Sequence, residues 1–206
     1  MANLVLRAIA SFFSLSLSAM TLQNAVFARS LSIGRLVSIV DSGTDTVIFG
    51  SLLVSVNTLS GALFFIANRY LLVLLPGEYI PYLRPLGIVI CMGISYFAVF
   101  IVVVKFARYE RLDECVATLP IAAFNVAVMS AILIAVVSSF SFLNMIAFCL
   151  GSSAGFMLAV LLVSEGHKKL QNSPIPPAFK GLPAALLFLA GMAMAVYGIN
   201  GHTFSL

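Results

Sequence analysis

Charged residues divide this chain into long apolar stretches. Between Arg7 and Arg29 lie 21 residues without Asp, Glu, Lys or Arg; between Asp45 and Arg69, 23; between Arg84 and Lys105, 20. The interval from Glu114 to Glu165 holds 50 such residues, and 26 follow Lys180. A membrane-crossing helix needs about 20 predominantly apolar residues, so the longest interval accommodates two with a turn between them. The pattern predicts an all-α integral membrane protein with six transmembrane helices, at residues 4–28, 46–66, 86–104, 116–137, 142–163 and 183–198. The stretches are too continuously apolar for the in–out alternation of barrel strands. They leave almost nothing for a soluble part, so residues 1–206 read as one membrane domain, with halves of about 1–110 and 111–206.

Composition narrows the class further. Hydrophobic residues make up 62% and charged residues 9%, with a mean hydropathy of +1.13. A soluble domain is about one quarter charged, so a cytosolic enzyme, a nucleic-acid binder and a disordered tail are excluded. The net charge of +4 follows from where the basic residues sit. The first, third and fifth connections carry Arg35, Lys105, Arg108, Arg111, Lys168, Lys169 and Lys180, with Arg29 at the border, whereas the second and fourth carry only Arg69 and Arg84. The positive-inside rule makes the first set cytoplasmic, which leaves both termini external in a multi-pass plasma-membrane protein. Residues 1–20 hold a single internal Arg7, and the apolar pattern continues past them through Val26 and Phe27, which argues against a cleaved signal peptide.

Chemistry-bearing residues are few. Cys91, Cys115 and Cys149 are odd in number and far apart, which fits packing residues rather than a disulfide framework. His167 and His202 fall in a loop and a tail, and Glu110, Asp113 and Glu114 lie beside Arg108 and Arg111 in an expected solvated loop. Gly151-Ser152-Ser153-Ala154-Gly155 gives the fifth span a small-residue face for close helix packing. Pro120, near the start of the fourth span, suits either a first-turn proline or a kinked helix. The first span runs into Thr21, Gln23, Asn24, Arg29, Ser30 and Ser32 before Gly34, groups that are costly in hydrocarbon unless they face protein or water. Asn24-Ala25-Val26-Phe27 is echoed by Asn125-Val126-Ala127-Val128 in the fourth span, as a three-plus-three repeat about an axis in the membrane plane would produce. Breaks are expected near Asn24 and Asn125, with the two segments meeting near mid-membrane as a candidate ion path.

The last third of the chain is more specific. A proline-rich loop followed by Pro177, Phe179, Lys180, Gly181 and Pro183, then Ala190-Gly191-Met192 and Gly198, resembles the closing segment of the Rnf/Nqr family of electron-transport subunits. The resemblance is to the A-type Rnf subunit and its E-type counterpart in the sodium-pumping quinone reductase. Weaker likenesses cover LQNAVFARSLSIGRL and LPIAAFNVAVMS. It implies an inverted-repeat fold with half-helices in spans one and four, paired with a homologous six-span subunit and further Rnf/Nqr subunits in a bacterial plasma membrane. It also implies a two-iron cluster shared between the pair, each subunit giving two cysteines. Here the two ligand positions are occupied by Gly34 and Val126, and the family's cysteine–proline pair reads Gly34-Arg35. The expected role is therefore a non-catalytic scaffold and half of a Na⁺ or H⁺ path, with no cofactor held by this chain and with cluster and flavins in partner subunits. A non-redox transporter or channel of the same fold, and an assembly factor, are the competing readings.

Overall fold

The computed structural model describes residues 2–42, 45–70, 76, 78–106, 109–171, 176 and 181–199. Arg108, Lys180, His202 and most of the proline-rich loop fall outside them, as do the side chains of Glu110 and His167. The described residues form helices α1 (Ala2–Met20), α2 (Ile33–Ser42), α3 (Thr46–Tyr70), α4 (Ile80–Phe106), α5 (Tyr109–Ala123), α6 (Val126–Val137), α7 (Phe142–Gln171) and α8 (Leu182–Ile199), with no strand among them. Three helices are long and apolar enough to cross a membrane: α3, α4 and the Phe142–Gly166 part of α7. The α5–α6 pair, bent by 45°, makes a fourth candidate, while Leu6–Met20 and Pro183–Gly198 are shorter apolar helices.

The relative direction of the helices follows from residues that touch. Ser11 reaches Asn144, and a methyl group built on Gly151 or Gly155 would meet the backbone of Ser16 or Met20, so α1 and α7 run parallel. Gly50 faces Met157, Asn57 bonds to Cys149 and Ser153, and Gly61 faces Cys149, so α3 runs antiparallel to α7. Gly87 against Phe64 makes α3–α4 a hairpin, and Gly166 against Phe188 does the same for α7–α8. Asp45 at the start of α3 pairs with Arg111 in the first turn of α5 at 3.3 Å, placing the first and third connections at one end of the bundle.

Helix α7 is the hub, because glycine lets α1 approach it closely. A methyl built on Gly151 would overlap the Ser16 carbonyl oxygen, and one on Gly155 would lie 2.7 Å from the Met20 carbonyl oxygen. The small-residue face is thus a packing surface, and with no hydrophobic drive between helices in lipid, such close contact supplies much of the association. Phe49, Phe64, Phe148 and Phe156 fill the space around it. Their rings are fully buried, while Phe142 is exposed and turned away from the core.

Three local expectations need correction. The first helix does not run to residue 28 but stops at Met20 and resumes at Ile33. Pro120 is not in a first turn: α5 begins eleven residues earlier, at Tyr109, so the ring removes a bond near the end of that helix and helps to stop it. Asp113 and Glu114 are exposed, but on α5 rather than in a loop. There they are the fifth and sixth residues of the helix, in its second turn.

Candidate functional site

The first break is organised by Asn24, which is fully buried. Its Oδ1 accepts hydrogen bonds from the backbone N–H of Val26 (2.9 Å) and Phe27 (3.3 Å). Its Nδ2 donates to the carbonyls of Met20 (3.0 Å) and Gly155 (2.8 Å). One helical turn follows, with the Ala28 N–H bonded to the Asn24 carbonyl and the Ser30 N–H to that of Val26, and the Leu31 N–H closes it on the Ala25 carbonyl six residues back. Ser30 and Ser32 then take φ of 54° and 61°, in the left-handed region, and end it. Such residues cost roughly 1–3 kcal/mol and persist only when their surroundings fix them.

The second break repeats the device. Asn125 caps α6, its Oδ1 accepting from the Ala127 N–H at 3.0 Å. The Ser32 hydroxyl joins the two breaks: it donates to Asn125 Oδ1 at 2.5 Å and accepts from the Ala127 N–H at 3.0 Å. Asn125 is buried, and its Nδ2 has no partner among the described residues.

A third amide completes this polar layer. Asn57 of α3 donates to the Cys149 carbonyl (2.9 Å) and to Ser153 Oγ (2.8 Å), and Ser153 donates to the same carbonyl. Asn57 Oδ1 and Ser60 Oγ are buried without a partner among the described residues. The sequence pattern singles out Ser32 only as one member of a polar run, and it passes over Asn57 altogether. The signal for Asn57 was an isolated amide within 23 uncharged residues. The Asn24 and Asn57 bonds to α7 lie near half-height of the long helices. Gly155 is near the middle of Phe142–Gly166, and Asn57 near that of Thr46–Tyr70.

Gly34 and Val126 are the second residue of α2 and the first of α6, and both are exposed. A Cβ built on Gly34 would meet nothing within 4 Å. Neither residue carries a donor atom for iron. Cys115 lies on α5, eleven residues before Val126 and on the other side of the α5–α6 break. Cys149 sits inside the α3–α7 contact against Gly61, and Cys91 is buried in α4. No group of three or more His, Cys, Asp or Glu able to hold a metal occurs among the described residues. An iron–sulfur cluster therefore does not fit the residues at these two positions. The remaining capability is polar and uncharged: amide, hydroxyl and carbonyl groups meeting where two helices are interrupted.

Among the described residues, three helices long and apolar enough to cross a membrane, the bent α5–α6 pair and two shorter apolar helices define a polytopic helical membrane protein. The family model described as "Rnf-Nqr subunit, membrane protein" matches residues 12–203, and the chain belongs to that family. It is 25% identical over 192 residues, 93% of its length and 97% of the relative's, to the A-type subunit of the proton-translocating ferredoxin:NAD(+) oxidoreductase complex of Clostridium ljungdahlii. It is 35% identical over 83 residues to the A-type subunit of the Na(+)-translocating ferredoxin:NAD(+) oxidoreductase complex of Acetobacterium woodii, covering 40% of this chain and 43% of that one. Over 83 residues it is 34% identical to the E-type subunit of the Na(+)-translocating NADH-quinone reductase of Chlamydia trachomatis. That match covers 40% of this chain and about a third of the relative, 34% of its length.

Proposed function

We infer that the chain is a membrane component of an Rnf/Nqr-type electron-transport complex that moves Na⁺ or H⁺, serving as scaffold and as half of the ion path. The observation that carries this is the junction of the two breaks, where Ser32, Asn125 and the Ala127 N–H share hydrogen bonds and one buried amide group is left without a partner among the described residues. Membrane transporters place ion sites at interrupted helices because such breaks release backbone groups near the bilayer centre. The parallel and antiparallel contacts support six crossings in a three-plus-three inverted arrangement, with repeat halves of about 1–110 and 111–206, in which α1–α2 and α5–α6 are the first and fourth. The charge sorting supports external termini. Gly34 and Val126 give no cluster ligand, so electrons pass through groups held by partner subunits. A homologous six-span subunit faces their exposed surface, beside Arg29 and Arg35, which are also exposed.

The test uses the assembled complex in sealed vesicles with Asn125→Leu and Asn24→Leu. Redox-driven ion movement per assembled complex falls if these residues line the path. Unchanged movement per complex, with only lower yield, refutes the path. The missing donors equally favour a transporter or channel of the same fold without redox chemistry. Co-purification of flavin- and iron-bearing subunits with the tagged chain decides for the complex, and their absence decides for the transporter. The chain purified alone is expected to hold no stoichiometric iron or labile sulfide. Iron and sulfide lost on replacing Cys91, Cys115 or Cys149 would overturn that expectation.

A further inference from the structure

Arg69 and Arg84 are the basic residues that the charge sorting leaves unexplained, the only two in the second and fourth connections. They line one cavity of about 470 Å³, together with Asn68 and with Ser139 and Ser141 of the α6–α7 turn, and with Phe65 among its apolar residues. It lies where α3 and α6 end and α4 and α7 begin, at the opposite end of the bundle from the Asp45–Arg111 pair. Arg84 Nε is buried and has no hydrogen-bond partner among the described residues. No ion pair is formed by either arginine among the described residues, and Glu78, in the same connection, is exposed.

A guanidinium stays charged in any protein environment, and a buried N–H without an acceptor costs free energy comparable to a lost hydrogen bond. The lining supplies two guanidinium forks, a carboxamide and two hydroxyls, and no carboxylate. That set repels cations and matches the oxygens of a phosphate group, for which arginine forks give paired, charge-assisted bonds. The ends of membrane-crossing helices lie at headgroup level, where a pair of guanidinium groups between helices can meet lipid phosphates. The apolar part of the lining, Phe65 with Val136 and Met145, suits the glycerol and first acyl carbons.

We propose that this cavity binds a phosphate oxyanion, from an anionic phospholipid headgroup or from free phosphate, with Arg69 and Arg84 as its cationic clamp. The site is independent of the redox reading and requires only that the chain sits in a membrane. The full chain, purified in delipidating detergent, is titrated with phosphatidylglycerol, with phosphatidylcholine and with inorganic phosphate while its melting temperature is followed. Phosphatidylglycerol raises the melting temperature and phosphatidylcholine does not. R69Q and R84Q each weaken the apparent affinity by about tenfold, as expected for loss of one charge-assisted contact, while K105Q titrates like the wild type. Inorganic phosphate that reproduces the shift identifies free phosphate as the ligand; phosphate without effect identifies the lipid. R69Q alters an exposed side chain and R84K keeps the charge without the fork, so the test stands even where R84Q does not fold. Equal shifts with both lipids, or R69Q and R84K titrating like K105Q, overturn the proposal.

Discussion

The two helix breaks use the same residue in the same way and are then held differently. In each, an asparagine Oδ1 accepts from the N–H two residues ahead, Val26 or Ala127. This is the shared local part, and it gives a physical basis to the four-residue echo in the sequence. At the first break both amide hydrogens are also committed, one of them to the Gly155 carbonyl on a distant helix. At the second, Asn125 Nδ2 has no partner among the described residues, and the outside contact comes from Ser32 of the first break. The first is a clamp that docks onto α7. The second is a cap with a spare donor. A repeat can therefore preserve backbone capping while its halves diverge in what they do with the rest of the side chain.

The sharpest way to break the comparison is to remove the surface that only the first break uses. Gly151→Leu forces a side chain into the Ser16 backbone, and the expected loss is roughly 3 kcal/mol, at the top of the range for overpacking. Thermal unfolding in detergent should show it, with Gly93→Ala, which meets nothing within 4 Å, near wild type. Next in size is the contrast between the asparagines. Asn24→Leu deletes four bonds and is expected to cost roughly 2 kcal/mol, against about 1 kcal/mol for Asn125→Leu. Equal melting shifts for the two variants would erase the distinction.

Smaller again is the link between the breaks. Ser32→Gly removes the bridging hydroxyl but suits the positive φ, so it should cost less than Ser32→Ala. A double-mutant cycle with Asn125→Ala should give a coupling of about 0.5–1 kcal/mol. Smallest is Asp45→Asn. Its partner Arg111 is 64% exposed, and an exposed pair of this kind contributes under about 0.5 kcal/mol, falling further at high salt.

The long helices were readable because charge is confined to their ends, and the breaks because an amide inside an apolar run has to find a partner. The end of α1 at Met20 was not readable. Neither glycine nor proline marks it; the stop comes with Asn24, whose Nδ2 donates to the Met20 carbonyl and to that of Gly155, 131 positions away. The start of α5 was misplaced for the opposite reason. Glu110, Asp113 and Glu114 look like loop, yet α5 takes them into its first two turns, and an acidic residue such as Glu110 is favoured in the first. Asn57 and Ser32 became part of the site only through residues of other helices, which periodicity along one segment does not reveal. The absence of donors at Gly34 and Val126, by contrast, is a matter of residue identity and needed no coordinates.

The parallel docking of α1 on α7 has a consequence for how the chain is made. Ser11 waits for Asn144, and Asn24 for Gly155, separations of 133 and 131 residues. At about 5–20 residues per second, the ribosome delivers that partner roughly 7–26 s later. During that interval the Asn24 amide lacks its Gly155 acceptor and the glycine-matched face of α1 is bare. Helix α1 is thus made well before the contacts that hold it, and its docking face stays unpartnered until α7 emerges.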